Sequence, residues 1–293
     1  MASKFKYRKI DAFTVHGSLG NPAACIYLSA GQSLNKQEML DIAKQHKGFV
    51  SEMVFCSREA DNIKLTYFSS ECEVEFCGHG TIACMYDLIK STPELLSKNE
   101  IQIKTNKKGK LTVYNRIPKQ DTVLITAPKP IYIGTDLNFE IIAQNLMLKS
   151  DDINLSYPID LIDTGLRTLI VPLRVLESEI SIYPDEQKLK EFCIENGIDI
   201  ILIYTRQVSD SKHIAHTRVF APKFGYLEDP ATGSGNSAFG YYMLKNNLWD
   251  GGDCCIEQGG NNRIYNDVFL SLKDNAVLFG GSATLRIDGE YFI

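Results

Sequence analysis

Two short stretches of the chain place a glycine pair at the opening of an apolar run: Cys77-Gly78-His79-Gly80 and Thr232-Gly233-Ser234-Gly235. A Gly-x-Gly turn at a helix start leaves several backbone N–H groups unpaired and pointing outward. Together with the helix dipole they favour an anion, either a carboxylate or a developing oxyanion. His79 and Ser234 sit inside the two turns, where their side chains can add hydrogen bonds. The plainer reading is that the glycines only permit tight turns, and for one isolated Gly-x-Gly it is the commoner one. Both stretches also fit a loose dinucleotide pattern, Gly-x-Gly-x-x-Ala. That pattern needs a following strand that ends in an acid for the ribose. The strand after the first turn ends at Lys104-Thr105, and the second leads only to Glu257. No Gly-Lys-Ser/Thr phosphate loop occurs either, so no nucleotide cofactor is expected.

Glu52 opens the predicted strand Met53 to Cys56. On composition alone a glutamate there is a solvated loop residue. In a partly dry cleft the same carboxylate would have a raised pKa and could move protons near neutral pH. Asp229, just before Pro230, can orient a substrate amine or hydroxyl, or merely cap the loop before the second helix. No metal site is expected. His213 and His216 are three apart beside a predicted strand, so they point to opposite faces. Cys72 and Cys77 have no matching second pair.

The elements that must carry these residues follow from periodicity. Phe5 and Tyr7 begin an alternating strand, Ala23 to Leu28 form a second, and Leu34 to His46 suit an amphipathic helix. Strands are predicted at Ile63 to Phe68, Ile101 to Lys104, Leu111 to Tyr114 and Thr122 to Ala127, with a helix over Gly78 to Lys90. The second half has helices at Phe139 to Leu148, Glu186 to Asn196 and Gly233 to Lys245. Its strands lie at Leu161 to Asp163, Leu169 to Val171, Ile200 to Tyr204 and Thr217 to Phe220. Many short strands with a few helices, not strictly alternating, predict an α+β fold. The two glycine-led helices echo each other: in register, Ala83 answers Ala238 and Tyr86 answers Tyr241. Both are apolar nearly all round, as a helix surrounded by protein must be. Two similar domains, each wrapping strands around one central helix, are therefore expected, with both helix starts facing one interdomain cleft.

The bulk composition narrows the function. The 293 residues suffice for two domains. With 31 basic against 36 acidic residues and a net charge of −5, the chain has no basic surplus for nucleic acid or an anionic membrane. The lysines around Asn106 and Gly109 read as an exposed hairpin turn. No apolar run is long enough to span a membrane, and the charged N-terminus resembles no secretion signal. The eight scattered cysteines, with Cys254 and Cys255 adjacent, suit reduced thiols in a cytoplasm.

These residues resemble the PhzF family of phenazine-biosynthesis-like isomerases over essentially the whole chain. The resemblance runs through Asp11-Ala12-Phe13, Gly20-Asn21-Pro22-Ala23-Ala24 and Ser51-Glu52-Met53-Val54-Phe55. It is strongest at Glu73 to Thr81 and Glu228 to Gly235, and it closes at Gln258-Gly259 and Gly280-Gly281-Ser282-Ala283. It implies the diaminopimelate-epimerase-like fold: two pseudo-symmetric domains, each a β-barrel around a central helix. Residues 1–118, joined by a closing strand at 283–293, would form the first domain and 119–282 the second. It also implies a homodimer and a cofactor-independent isomerase acting on a small carboxylate bound between the domains. Carried over, Glu52 is the acid/base, His79, Asp229 and Ser234 are the other polar groups, and Gly78 and Gly233 are backbone donors. Gly80 stands where the family has alanine, and residues 46–50 also depart from its pattern, which leaves the substrate open. Two rivals remain. An amino-acid racemase or epimerase of the same fold would need paired thiols, and a non-catalytic binding protein would have no need of Glu52.

Overall fold

The computed structural model describes residues 3–59, 62–260 and 264–293. Met1 and Ala2, the head of the charged N-terminus, lie outside them. The chain has a mixed α/β fold and divides into two compact units, residues 1–126 with 280–293, and residues 127–279. The first border lies at 126/127 rather than 118/119, because strand Val123–Thr126 pairs with Gly109–Asn115.

Unit 1 contains β1 (Lys4–Ala12), β2 (Asn21–Leu28), α1 (Lys36–Gln45), β3 (Glu52–Glu59), β4 (Asn62–Ser69), β5 (Glu73–Val74), α2 (Gly78–Lys90), α3 (Pro93–Leu96), β6 (Glu100–Thr105), β7 (Gly109–Asn115), α4 (Ile117–Gln120) and β8 (Val123–Thr126). Unit 2 contains β9 (Ile131–Tyr132), α5 (Phe139–Leu146), β10 (Asp160–Asp163), β11 (Arg167–Pro172), α6 (Leu176–Ser181), α7 (Glu186–Glu195), β12 (Ile200–Thr205), β13 (His216–Phe220), β14 (Glu228–Asp229), α8 (Gly233–Lys245), β15 (Cys254–Gln258) and β16 (Asn266–Lys273). Strand β17 (Ala276–Gly281) carries the chain back to unit 1, where β18 (Ala283–Phe292) pairs antiparallel with β1.

The pairing order repeats. In unit 1, β2 and β3 are parallel, β3–β4 and β4–β5 antiparallel, β4–β6 parallel and β6–β7 antiparallel. In unit 2, β11 and β12 are parallel, β12–β13 and β13–β14 antiparallel, β13–β15 parallel and β15–β16 antiparallel.

The two-residue side-chain period of a strand decides what faces each helix. In unit 1, Ala24, Ile26, Met53, Phe55 and Phe68 pack with Ile42 and Ala43 of α1. The alternate residues turn to α2: Val54 lies against Gly80, and the Tyr67 hydroxyl meets Thr81 Oγ1 at 2.7 Å. In unit 2, Ile201, Ile203 and Phe220 pack beneath α5 and α7, while the Tyr204 ring meets Phe239 of α8 at 4.5 Å between centroids, tilted by 45°. Ile82, Ala83, Cys84 and Met85 of α2 are completely buried, as are Ala238, Phe239 and Tyr242 of α8. Each large apolar side chain buried this way stabilises its unit by about 1.5–3 kcal/mol. The one acid of α2, Asp87, is satisfied by Arg8 at 2.8 Å and by the Tyr27 hydroxyl at 2.6 Å.

Candidate active site

Glu52 is the first residue of β3, paired with Ala23 on one side and Ser69 on the other. It shares the strand face of Val54, so its side chain turns toward the start of α2. The bend that begins α2 is set by β5, whose Val74 pairs with Tyr67. Cys77 then takes an extended conformation as the N-cap, and its Sγ accepts the Gly80 N–H at 3.2 Å. Thr81 Oγ1 donates to the Cys77 carbonyl at 2.7 Å and fixes the first turn.

Three side chains meet at this helix start. His79 Nε2 lies 3.3 Å from Glu52 Oε2. Cys77 Sγ lies 3.6 Å from His79 Nδ1 and 3.8 Å from Nε2. Glu52 Oε2 is shielded from solvent and accepts no aligned hydrogen bond among the described residues. Burial pushes the Glu52 carboxyl up to about 7 from its ordinary 4.5. The donor atoms of all three residues lie within 4.8 Å of one another, so the cluster has room for a shared proton or a cation.

The start of α8 is built differently. Asp229 of β14 accepts the Thr232 hydroxyl at 2.7 Å. Gln258, at the end of β15, accepts the Thr232 N–H at 2.9 Å and an Asn236 Nδ2 hydrogen at 2.6 Å, and donates to the Asp229 carbonyl at 2.9 Å. Asn236 and Gln258 are fully buried. This frame holds the turn while Ser234 stays half-buried. A Cβ on Gly235 would sit 3.3 Å from Val219 and Thr232, so the glycine lets the turn lie close to its strand.

The sequence-derived residues thus fall into two groups. Glu52, Gly78 and His79 come together in unit 1, and Asp229, Gly233 and Ser234 in unit 2. Sequence reasoning did not place the Cys77 sulfur against His79, nor find Asn236 and Gln258 as the frame of the second turn. The available signal was a buried amide on an otherwise apolar helix, since such a group must find a partner. His213 and His216 do not converge: His213 faces Asp267 and Glu257, whereas His216 faces Glu179 at 3.2 Å. All eight cysteines are free of disulfides, and among the described residues no helix is long and apolar enough to cross a membrane.

Known proteins place this geometry in context. The chain is 28% identical over 255 residues to an uncharacterized isomerase of Clostridium acetobutylicum, covering 85% of this chain and 82% of that one. It is 27% identical over 285 residues to the uncharacterized isomerase YfhB of Bacillus subtilis, covering 96% and 94%. The crystal structure of a PhzF-family phenazine biosynthesis protein from Bacillus anthracis superposes with a TM-score of 0.85 at 25% identity, covering 99% of this chain and all of that one. The profile of the phenazine biosynthesis-like proteins matches residues 10–289, nearly the whole chain, and the protein belongs to that PhzF family.

Proposed function

We propose that this isomerase moves a proton on a small carboxylate substrate, with Glu52 as the acid/base and no cofactor. The observation that carries the reading is the Glu52 carboxylate, shielded, without an aligned hydrogen bond at Oε2 and 3.3 Å from His79 Nε2 at a helix start. As the carboxylate it takes a proton from a carbon of the substrate. The C–H electron pair then delocalises toward the substrate carboxylate, whose added charge suits the N–H groups and dipole at the α2 start, Gly78 included. The protonated Glu52 returns the same proton to a different carbon, so atoms and charge balance. His79, 3.3 Å from that oxygen, is the neighbouring polar group that faces the substrate with it. Asp229, Ser234 and the Gly233 N–H are assigned to substrate binding in unit 2.

The repeated pairing order supports reading the two units as pseudo-symmetric copies. In that register Glu52 answers Ile200, Cys77 answers Thr232 and His79 answers Ser234. Only one copy carries an acid/base, which favours one-sided proton transfer over two-thiol inversion. The test is a screen of small carboxylates for thermal stabilisation, followed by turnover of the hits in D2O. Deuterium entering a substrate carbon with wild type but not with Glu52→Gln supports the reading. Turnover by Glu52→Gln at the wild-type rate overturns it.

A further inference from the structure

Unit 2 holds a second cluster, built on one face of the β15–β16 ladder. Glu257 pairs with Asp267 and Cys255 with Phe269, so Cys255, Glu257 and Asp267 share that face. The segment before β13 runs alongside, tied by Ile214 N–H to the Cys255 carbonyl at 3.0 Å, and lays His213 over the same face. One donor atom each from His213, Cys255 and Asp267 lies within 4.8 Å of the others, and all three residues are buried.

We propose that His213, Cys255 and Asp267 form a binding site for one thiophilic divalent cation of the Zn2+ class. The donor set is one nitrogen, one sulfur and one oxygen, which suits a borderline-soft ion and not Mg2+ or Ca2+. His213 is oriented for coordination as metal-binding histidines are. Its Nδ1 lies 3.1 Å from Glu257 Oε2, and Nε2 points at Asp267 Oδ1 at 2.9 Å. The Glu257 carboxylate at Nδ1 fixes the ring, and an ion at this site takes the place of the proton that Nε2 now shares with Asp267. Glu257 is itself held by the Ser209 N–H at 2.7 Å and the Ser209 hydroxyl at 2.5 Å. On coordination the Cys255 thiol gives up its proton to solvent, and so does the Nε2–Asp267 hydrogen bond, since both ligand atoms must be deprotonated. Lys212 Nζ lies 3.4 Å from Asp267 Oδ2 on a half-exposed side chain. It marks the solvent side of the cluster and is the cation an incoming ion must compete with.

The test uses the full chain, stripped with a chelator and titrated with Zn2+ against a chromophoric chelator and, separately, with Co2+. One ion per chain is expected, with a thiolate-to-cobalt charge-transfer band that Cys255→Ser removes. Glu257→Gln should weaken binding by about 10–100-fold. Lys212→Ala, an exposed change that leaves the fold intact, should tighten it by about two- to fivefold. Failure to bind at micromolar Zn2+ overturns the proposal. So does binding that survives Cys255→Ser, or that is lost instead in Cys77→Ser, which would put the ion at the other cluster.

Discussion

Glu52 Oε2 and His79 Nε2 stand 3.3 Å apart although the residues come from different elements, one opening a strand and the other inside a helix start. Neither element alone would bring them together. The closeness requires β3, β4 and β5 to pair in register, so that β5 delivers the chain to α2 directly over the face Glu52 occupies. From this follow expectations for activity and for stability.

Glu52→Gln keeps the shape of the side chain and removes the proposed base. Turnover of an identified substrate should fall by about two to four powers of ten, with KM changed little, because the lost interaction belongs to the transition state. Steady-state kinetics of the purified variant checks both parameters.

The pH dependence has a defined sign. Burial raises the Glu52 carboxyl from 4.5 to about 7, so folding favours its protonated form. That contribution is complete below about pH 4.5 and is lost as pH rises through 7. At ~1.4 kcal/mol per pH unit, the ionised group costs up to about 3 kcal/mol at pH 8. Glu52→Gln should therefore match wild type in denaturant unfolding near pH 4.5 and exceed it at pH 8. Activity runs the other way: kcat/KM should rise with pH toward a plateau above 7, as the carboxylate forms.

Gly80 is set by its neighbours. A Cβ there would come 2.8 Å from Val54 Cγ2 and 3.0 Å from Cys77 Sγ. The first is closer than a Cβ can sit and the second is tight, and Val54 has little freedom to yield in the core. Gly80→Ala should cost about 1–3 kcal/mol of stability. Val54→Ala relieves the closest contact, so the double variant should be more stable than the sum of the single changes predicts. Chemical denaturation of the four proteins of that cycle measures the coupling. Strict additivity would show that the site has slack the structure does not suggest.

What the sequence revealed, and what it hid, follows from the range of the interactions. The α2 and α8 limits were legible to the residue, because a glycine turn opens each helix, an apolar run fills it and a lysine ends it. The short strands β5 and β14 were not, since two residues carry no periodicity, yet they aim both helix starts. Glu179 was hidden too. It sits in a six-residue acidic helix that reads as surface, but the structure buries it completely against His216. Burial of that kind depends on partners distant in sequence. The same holds for the order of strand pairings common to the two units, of which the sequence shows only two short motifs.

The role of Cys77 separates two branches of proton-transfer chemistry. Its sulfur lies 3.6 Å from His79 Nδ1, close enough to exchange a proton with the ring. An enzyme that inverts a carbon with two thiols needs a second acid/base on the opposite face. On the proposed pseudo-symmetric reading the residue answering Cys77 is Thr232, whose hydroxyl donates to Asp229 and whose N–H is taken by Gln258. A hydroxyl so placed is too weak an acid or base to act as a thiol at neutral pH. Nor does unit 2 offer a carboxylate in the place of Glu52, since Ile200 stands there and packs toward Gly235. On the proposed assignment of proton transfer to Glu52, the Cys77 thiol is left to accept the Gly80 N–H and shape the turn. Cys77→Ser preserves that acceptor and should keep activity within about tenfold of wild type, far above Glu52→Gln. Kinetics of the two variants side by side checks the order. If Cys77→Ser is as inactive as Glu52→Gln, the thiol takes part in the proton transfer. If the wild type also inverts free amino acids, the protein works as a racemase, with a second acid/base other than Thr232.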